Sequence, residues 1–428
     1  MVDKVKINLN IENIYLRALG WICAFYAFLE MYPYFIWDTY MNGSLYVIRQ
    51  IFLLLTFIGL FFYFLHMKHI TSKSYFIGAS FILIWILQRI AGGKFDFAIG
   101  SIITVLIICI FVNLDDNIKK DVYNKFVTIY AISLISSIII WFLKIYGVNI
   151  PYTELASVSP GKVARGIYYK HYFGSIYTDS IHFTAVQRLR LCGMFDEPGV
   201  VGTFSALILI GNQFPKKWKN WKSIVIFIAG VLSISLAFCF IVIAAYLFKS
   251  LKNGYFKVII TIIFTVISYF VFINIKTDNA FIKTLQTRLT FSNGELAGNN
   301  RTNQEYNIAF KKFLKGEDGN RLLGNGINAT INNPQMYGSA TYKMLIYEYG
   351  FIGFIAILLW FIISIGIRYR KNWTCMTLLF AFLLSIYQRP YVTDLYCMII
   401  LFGGCAFISN SQTETIRLEK NDVIEVVS

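Results

Sequence analysis

Ten long apolar runs constrain this chain more than any motif in it. They cover 14–35, 46–65, 75–92, 95–114, 126–148, 198–213, 258–275, 343–367, 373–388 and 394–409. A helix needs about 20 mostly apolar residues to cross the hydrocarbon of a bilayer, and these runs have about that length. An eleventh region, 222–248, carries no charged side chain from Ser223 to Phe248. Only 14% of the 428 residues are charged, against roughly a quarter in a soluble domain. Aromatic residues make up 18%, which suits belts at membrane interfaces. The expected fold is therefore an all-α integral membrane domain spanning 1–428, not two soluble domains.

The lysines decide how region 222–248 is crossed. Lys216, Lys217, Lys219 and Lys222 precede it, and Lys249, Lys252 and Lys257 follow it. Both ends then face the cytoplasm under the positive-inside rule. The stretch should go out and come back, turning near Ser233-Ile234-Ser235, with each half short for a full crossing. One long tilted helix is the alternative. With the hairpin there are about 12 transmembrane segments and both termini are cytoplasmic. The short inner loops then hold fifteen cations, among them Lys68, Lys73, Lys119, Lys120, Lys125, Arg368, Arg370 and Lys371; the short outer loops hold only Lys94 and Arg389. The net charge of +16 thus follows the membrane topology, and nucleic acid is not an expected partner.

The apolar start of the chain reads as a retained helix, not a signal peptide. Six of the seven cysteines (Cys23, Cys109, Cys239, Cys375, Cys397 and Cys405) fall in spans, and only Cys192 in an outer loop. No disulfide or CxxC metal site is suggested. The segment 410–428 reads as a cytoplasmic tail. Two long outer, extracytoplasmic loops remain, 149–197 and 276–342, and function is expected there.

The first loop ends in Arg188-Leu-Arg190-Leu-Cys-Gly193-Met-Phe195-Asp196-Glu197-Pro198, with a helix expected from Pro198. Two carboxylates and two arginines meet at a helix N-terminus able to hold an anion. In the plainer alternative, Glu197 only complements the helix end and the arginines meet lipid headgroups. The second loop holds Arg288, Arg301 and a stretch, 304–315, that reads as an amphipathic helix on the membrane surface. There Lys311, Lys312 and Lys315 are expected to be solvated. Gly324-Asn325-Gly326 reads by itself as an ordinary turn. Glu348 sits just inside an apolar run, where a carboxylate is costly and is either functional or paired with an arginine. Arg17, Glu30, Arg49 and Arg89 lie within or at the edge of spans, and Arg89 is a candidate for facing a central cavity. Of the four histidines, His66 and His69 are in a cytoplasmic loop and His171 and His182 in the first outer loop. They show no metal spacing, and no Walker A or dinucleotide glycine pattern occurs; no metal or cofactor is expected.

Taken in order, these elements resemble the superfamily of O-antigen polymerases (Wzy-type) and O-antigen ligases. The likeness rests on Arg188-x-Arg190-x-x-Gly193-x-Phe195-x-Glu197-Pro198, on Arg301 opening the amphipathic stretch, on Gly324-x-Gly326, and on Tyr342 through Glu348-x-Gly350-x-x-Gly353. The resemblance implies a GT-C-like glycosyltransferase in the cell inner (plasma) membrane, with its active site on the periplasmic face and no metal. Its donor would be a glycan on undecaprenyl pyrophosphate, and a chain-length regulator is a conceivable partner. A breaking bond to pyrophosphate builds negative charge, which guanidinium groups bind with paired hydrogen bonds. Arg188, Arg190 and Arg301 are the expected diphosphate ligands, with Arg288 as a helper. Glu197 is the candidate for orienting or deprotonating the acceptor hydroxyl, and Asp196 is second in line. Glu348 would organise the arginines, with Arg89 and Tyr342 as supporting residues.

Ligases of this superfamily carry a His-Asn pair just before the tyrosine of the last long loop. Here those positions read Ser339-Ala340, which favours a polymerase and leaves the general base unassigned. A flippase of lipid-linked oligosaccharide is a rival from another class, but it would need short outer loops. Tyr168, Tyr169, Tyr172 and Tyr177 of the first loop are candidates for stacking on sugar rings, with interfacial anchoring as the alternative.

Overall fold

The computed structural model describes residues 2–66, 72–90, 98–215, 220–292, 295–296, 304–333 and 341–411. It is mostly helical. The first five helices are α1 (Val2–Glu30), α2 (Tyr46–His66), α3 (Ser72–Ile90), α4 (Ile99–Asn113) and α5 (Asp116–Ile145). The first loop contributes β1 (Thr153–Ala156), α6 (Pro160–Val163), β2 (Tyr168–Tyr172), β3 (Ser175–Asp179) and α7 (Ala185–Leu189). Next come α8 (Pro198–Gly211), α9 (Trp221–Leu232), α10 (Leu236–Ser250) and α11 (Tyr255–Asn274). The second loop holds α12 (Ala280–Leu289), the short strands β4 (Phe291–Ser292) and β5 (Glu295–Leu296), α13 (Gln304–Lys315) and α14 (Ala329–Asn332). The chain ends in α15 (Tyr342–Tyr369), α16 (Trp373–Ile386) and α17 (Leu395–Met398), which runs on through a π-helical stretch, Ile399–Gly403, to Ser411.

Among the described residues three helices, α2, α5 and α15, are long and apolar enough to cross a membrane, and eight further apolar helices are shorter. Their burial follows their composition. Helix α8 is apolar all round and buried at thirteen of its fourteen positions, as a helix at the centre of a bundle must be. It packs against α9, α10 and α16. Helix α11 is equally apolar, yet most of its large side chains, among them Phe256, Phe264 and Phe270, are exposed. Such a surface suits lipid.

Two ends of the bundle can be told apart. At the basal end Tyr369 Oη donates to Asp116 (2.7 Å), Tyr123 Oη to Asn212 (3.0 Å) and Asn212 Nδ2 to Ser223 (3.0 Å). At the loop end the N–H of Leu191 donates to the Leu232 carbonyl at 3.1 Å. Helix α9 runs from basal to loop end. Helix α10 returns, because Phe248 near its C-terminus stacks on Trp373 at 5.1 Å. Region 222–248 is therefore a hairpin of two helices, broken at Ser233–Ser235. Ile234 sits there at φ 48°, a left-handed value that a β-branched residue adopts only under constraint. With 12 residues, α9 is about 18 Å long, well short of the roughly 30 Å of hydrocarbon.

The first loop departs from a purely helical expectation. Strands β1, β2 and β3 form an antiparallel sheet in that order, with Thr153 opposite His171 and Tyr169 opposite Thr178. The strand segments are rich in tyrosine, threonine and isoleucine, which fit a pleated, half-buried surface. The sheet packs on α5 through Ser137 Oγ and Ser175 Oγ (2.7 Å) and from Tyr177 Oη to the Ser137 carbonyl (2.6 Å). Tyr172 and Tyr177 are buried against α5, and Tyr169 is buried against Trp37 on the other side. They are core residues, which corrects their candidacy for stacking on sugars; Tyr168 alone of the four is only partly buried.

Candidate functional site at the loop end

Glu197 is the N-cap of α8, with Pro198 as the first helical residue. The break in direction comes from Pro198, which presets a helical φ and lacks the N–H that a helix start would leave unpaired. The Glu197 carboxylate does not cap its own helix. It lies between two cations: Oε2 is 2.5 Å from Arg389 Nη2 and Oε1 is 3.4 Å from Lys162 Nζ. Lys162 also reaches Asp196 Oδ2 (2.9 Å), the Asp196 carbonyl (3.1 Å) and Tyr169 Oη (3.1 Å). Tyr169 Oη in turn donates to the Asp196 carbonyl at 2.8 Å. Burial alone would lower the Lys162 pKa, but the Asp196 and Glu197 carboxylates outweigh it and hold the ammonium above its ordinary range. Arg389 behaves alike: burial opposes its charge and Glu197 more than restores it. The Arg389 side chain is only 3% exposed, and its Nε has no hydrogen-bond partner among the described residues.

The arginines expected to act together are divided between two places. Arg188 pairs with Asp179 on β3, Nε to Oδ1 at 2.8 Å, and donates to the Ser180 carbonyl at 3.1 Å. Lys170 reaches the other oxygen of Asp179 at 2.8 Å. Burial would push the Asp179 carboxyl up; the bonds from Lys170, the Ser180 N–H and Arg188 hold it below the usual carboxylate range. Arg190 and Arg288 converge elsewhere, on the α9–α10 break. Arg190 Nε donates to the Ser233 carbonyl and Arg288 Nη1 to the Ile234 carbonyl, both at 3.2 Å. Gly202 places this break beside the start of α8, since a Cβ at Gly202 would overlap the Ser235 side chain. Glu197 is five residues before Gly202, so the carboxylate and the two guanidinium groups flank one end of the same helix.

Tyr342 opens α15. It stacks on Tyr387 with ring centroids 5.3 Å apart, two residues before Arg389. Thr341, beside it, meets Tyr306 of α13 (Oη to Oγ1, 3.5 Å). The start of α13 is thereby tied to the same region. Arg301, three residues ahead of α13, lies outside the described residues, as do Ser339 and Ala340. Helix α13 turns Tyr306, Phe310 and Phe313 onto Ile346 and Tyr347 of α15. Its apolar face therefore covers protein rather than a membrane surface, while Lys311, Lys312 and Lys315 are exposed as expected.

Glu348 is 5% exposed and organises no arginine through a hydrogen bond among the described residues; it accepts from Thr330 Oγ1 (2.5 Å) and the Thr330 N–H (3.4 Å). Arg89, at the end of α3, lies over the Trp85 ring at 5.2 Å and acts on Glu348 through its charge. Beside Glu348 the helix is interrupted, with Gly350 at φ 67° and ψ 179°. The interruption is spliced to the Gly324 loop through backbone groups. Asn325 and Gly326 N–H donate to the Tyr347 and Glu348 carbonyls, each at 2.9 Å, while Phe351 and Ile352 N–H donate to the Arg321 and Leu322 carbonyls at 3.0 and 3.1 Å. A Cβ on Gly350 would overlap the Leu322 carbonyl, and one on Gly324 the Glu348 carbonyl. Gly324-Asn325-Gly326 is thus the partner of a broken helix, not an ordinary turn.

Sequence reasoning singled out Glu197 and missed what holds it. Arg389 left a trace as one of only two cations in the short outer loops. Lys162 left none, because α6 is a single turn inside a long polar loop. Among the described residues no group of three His, Cys, Asp or Glu side chains is placed to hold a metal ion. The fold is that of a mostly helical protein with helices long and apolar enough to cross a membrane. Compared with protein-family models, curated proteins and solved structures, the chain matches none.

Proposed function

We propose that this protein is a polysaccharide polymerase of the inner membrane, of the O-antigen, capsule or exopolysaccharide kind. It would move a growing glycan from undecaprenyl pyrophosphate to the sugar of a new lipid-linked repeat unit. The observation that carries this reading is the Glu197 carboxylate fixed between Lys162 and Arg389, with Arg190 and Arg288 at the adjoining helix break. In the proposed reaction the bond from the donor sugar to diphosphate breaks and the acceptor oxygen takes its place. Arg190, Arg288 and Arg301 stabilise the diphosphate as it gains charge. Glu197, held rigidly by two cations, accepts a hydrogen bond from the acceptor hydroxyl and aligns it, and the hydroxyl proton passes to the departing diphosphate. Glycan chain length would be set with a partner regulator.

The test uses purified protein and a synthetic undecaprenyl-pyrophosphate repeat unit, with EDTA and without nucleotide. A glycan ladder is expected from wild type. Glu197→Gln should slow it by about 10²-fold or more, and Arg301→Ala should abolish it at unchanged protein level. Absence of a ladder from folded wild type with its cognate repeat unit would sink the proposal, and lipid translocation in liposomes would be measured next.

A further inference from the structure

The sheet of the first loop sits beside α5 at an unexpected level. At the turn between β2 and β3, the Gly174 carbonyl accepts from Ser136 Oγ at 2.8 Å. Ser136 is nine residues before the end of α5 at Ile145, or about 13 Å along the axis. It lies inside the stretch 126–143, which has no charged residue. On a neighbouring face of the same helix, Ile132, Ile135, Ile139 and Phe142 are exposed. That apolar stripe passes the level of Ser136 on both sides. Phe173, at the tip of the turn, is 94% exposed.

A water-suspended loop would not place a bare phenylalanine beside the middle of an apolar helical stripe. We propose that the β2–β3 turn enters the acyl region of the bilayer, with Phe173 touching lipid as a continuation of the α5 stripe. The first loop is then a re-entrant element, not a domain hanging above the surface. Backbone at such a depth must be satisfied within the protein. Strand β2 is paired on both edges, and β3 is buried along its whole length. Burying the phenylalanine ring in hydrocarbon removes apolar area from water, the term that anchors interfacial segments.

This inference rests on the membrane reading of the helices, not on glycosyl transfer. The test places a nitroxide at Phe173→Cys, and separately at Ile139→Cys, in full-length protein carrying Cys239→Ser, since the other six cysteines are buried. The protein is reconstituted in phosphatidylcholine–phosphatidylglycerol vesicles. Power saturation compares collisions with oxygen and with a water-soluble nickel chelate. Both labels should favour oxygen, with position 173 at a hydrocarbon depth similar to that of 139. Nickel-dominated collisions at 173 with oxygen-dominated collisions at 139 would overturn the proposal. Nickel-dominated collisions at both would overturn the membrane reading and the proposal with it. A missing glycan ladder would leave this result untouched.

Discussion

At the scale of single residues, Arg389 shows how a lone cation on a short loop becomes structural. It is buried against Glu197 from 192 residues away. Removing one partner of a buried ion pair typically costs about 3–5 kcal/mol, and Lys162, at 3.4 Å, would offset the loss of Arg389 only in part. Arg389→Ala should therefore lower the melting temperature in detergent clearly, whereas Arg188→Ala, whose side chain is 45% exposed and whose partner Asp179 keeps Lys170, should lower it less. Asp179 makes a pH prediction. Its carboxyl is held below the unfolded value of about 3.9. Its contribution is present above that value and is lost as pH falls through the lower folded one. Hydrogen-exchange protection of β2 and β3, taken relative to the intrinsic rate at each pH, should fall as pH drops below about 4; in Asp179→Asn that acid dependence should vanish and protection at neutral pH should be weaker. Glu197 was legible in the sequence because Pro198 marks a helix start next to two carboxylates. Lys162 was not, because its carboxylate partners, Asp196 and Glu197, meet it only after the loop folds back 34 residues or more.

At the scale of elements, apolar runs translate directly into helices, since a run of that length has no other way to satisfy its backbone away from water. The α9–α10 hairpin was readable too, from lysines at both ends of one apolar stretch. The first-loop sheet was not: its strands, such as Tyr168–Tyr172, mix charged and aromatic residues without clean alternation, and their inward faces are set by α5. The break in α15 is the element most open to test. Its φ of 67° and ψ of 179° belong to a region that only glycine occupies without strain of about 1–3 kcal/mol. Gly350→Ala adds that strain to the overlap with Leu322. The expected result is faster proteolysis between 316 and 333, with α13 loosened and any glycan ladder lost, while the melting of the remaining helices changes little.

At the scale of the whole molecule, charge asymmetry is the property that sets orientation. Reporter fusions should place position 252 and the C-terminus at 428 in the cytoplasm and position 166 outside; the reverse pattern would overturn the topology. The spliced helix also bears on how the protein is made. In the proposed topology the 320–326 loop, translated before α15, is already across the membrane when that helix arrives. Until the two meet, the carbonyls of Tyr347 and Glu348 and the N–H groups of Phe351 and Ile352 lack the partners they hold in the finished fold. Insertion of α15 and docking of the preceding loop then form a single event during biogenesis. A ribosome stalled before Gly353 would leave the second loop unfastened, however complete the rest of the bundle.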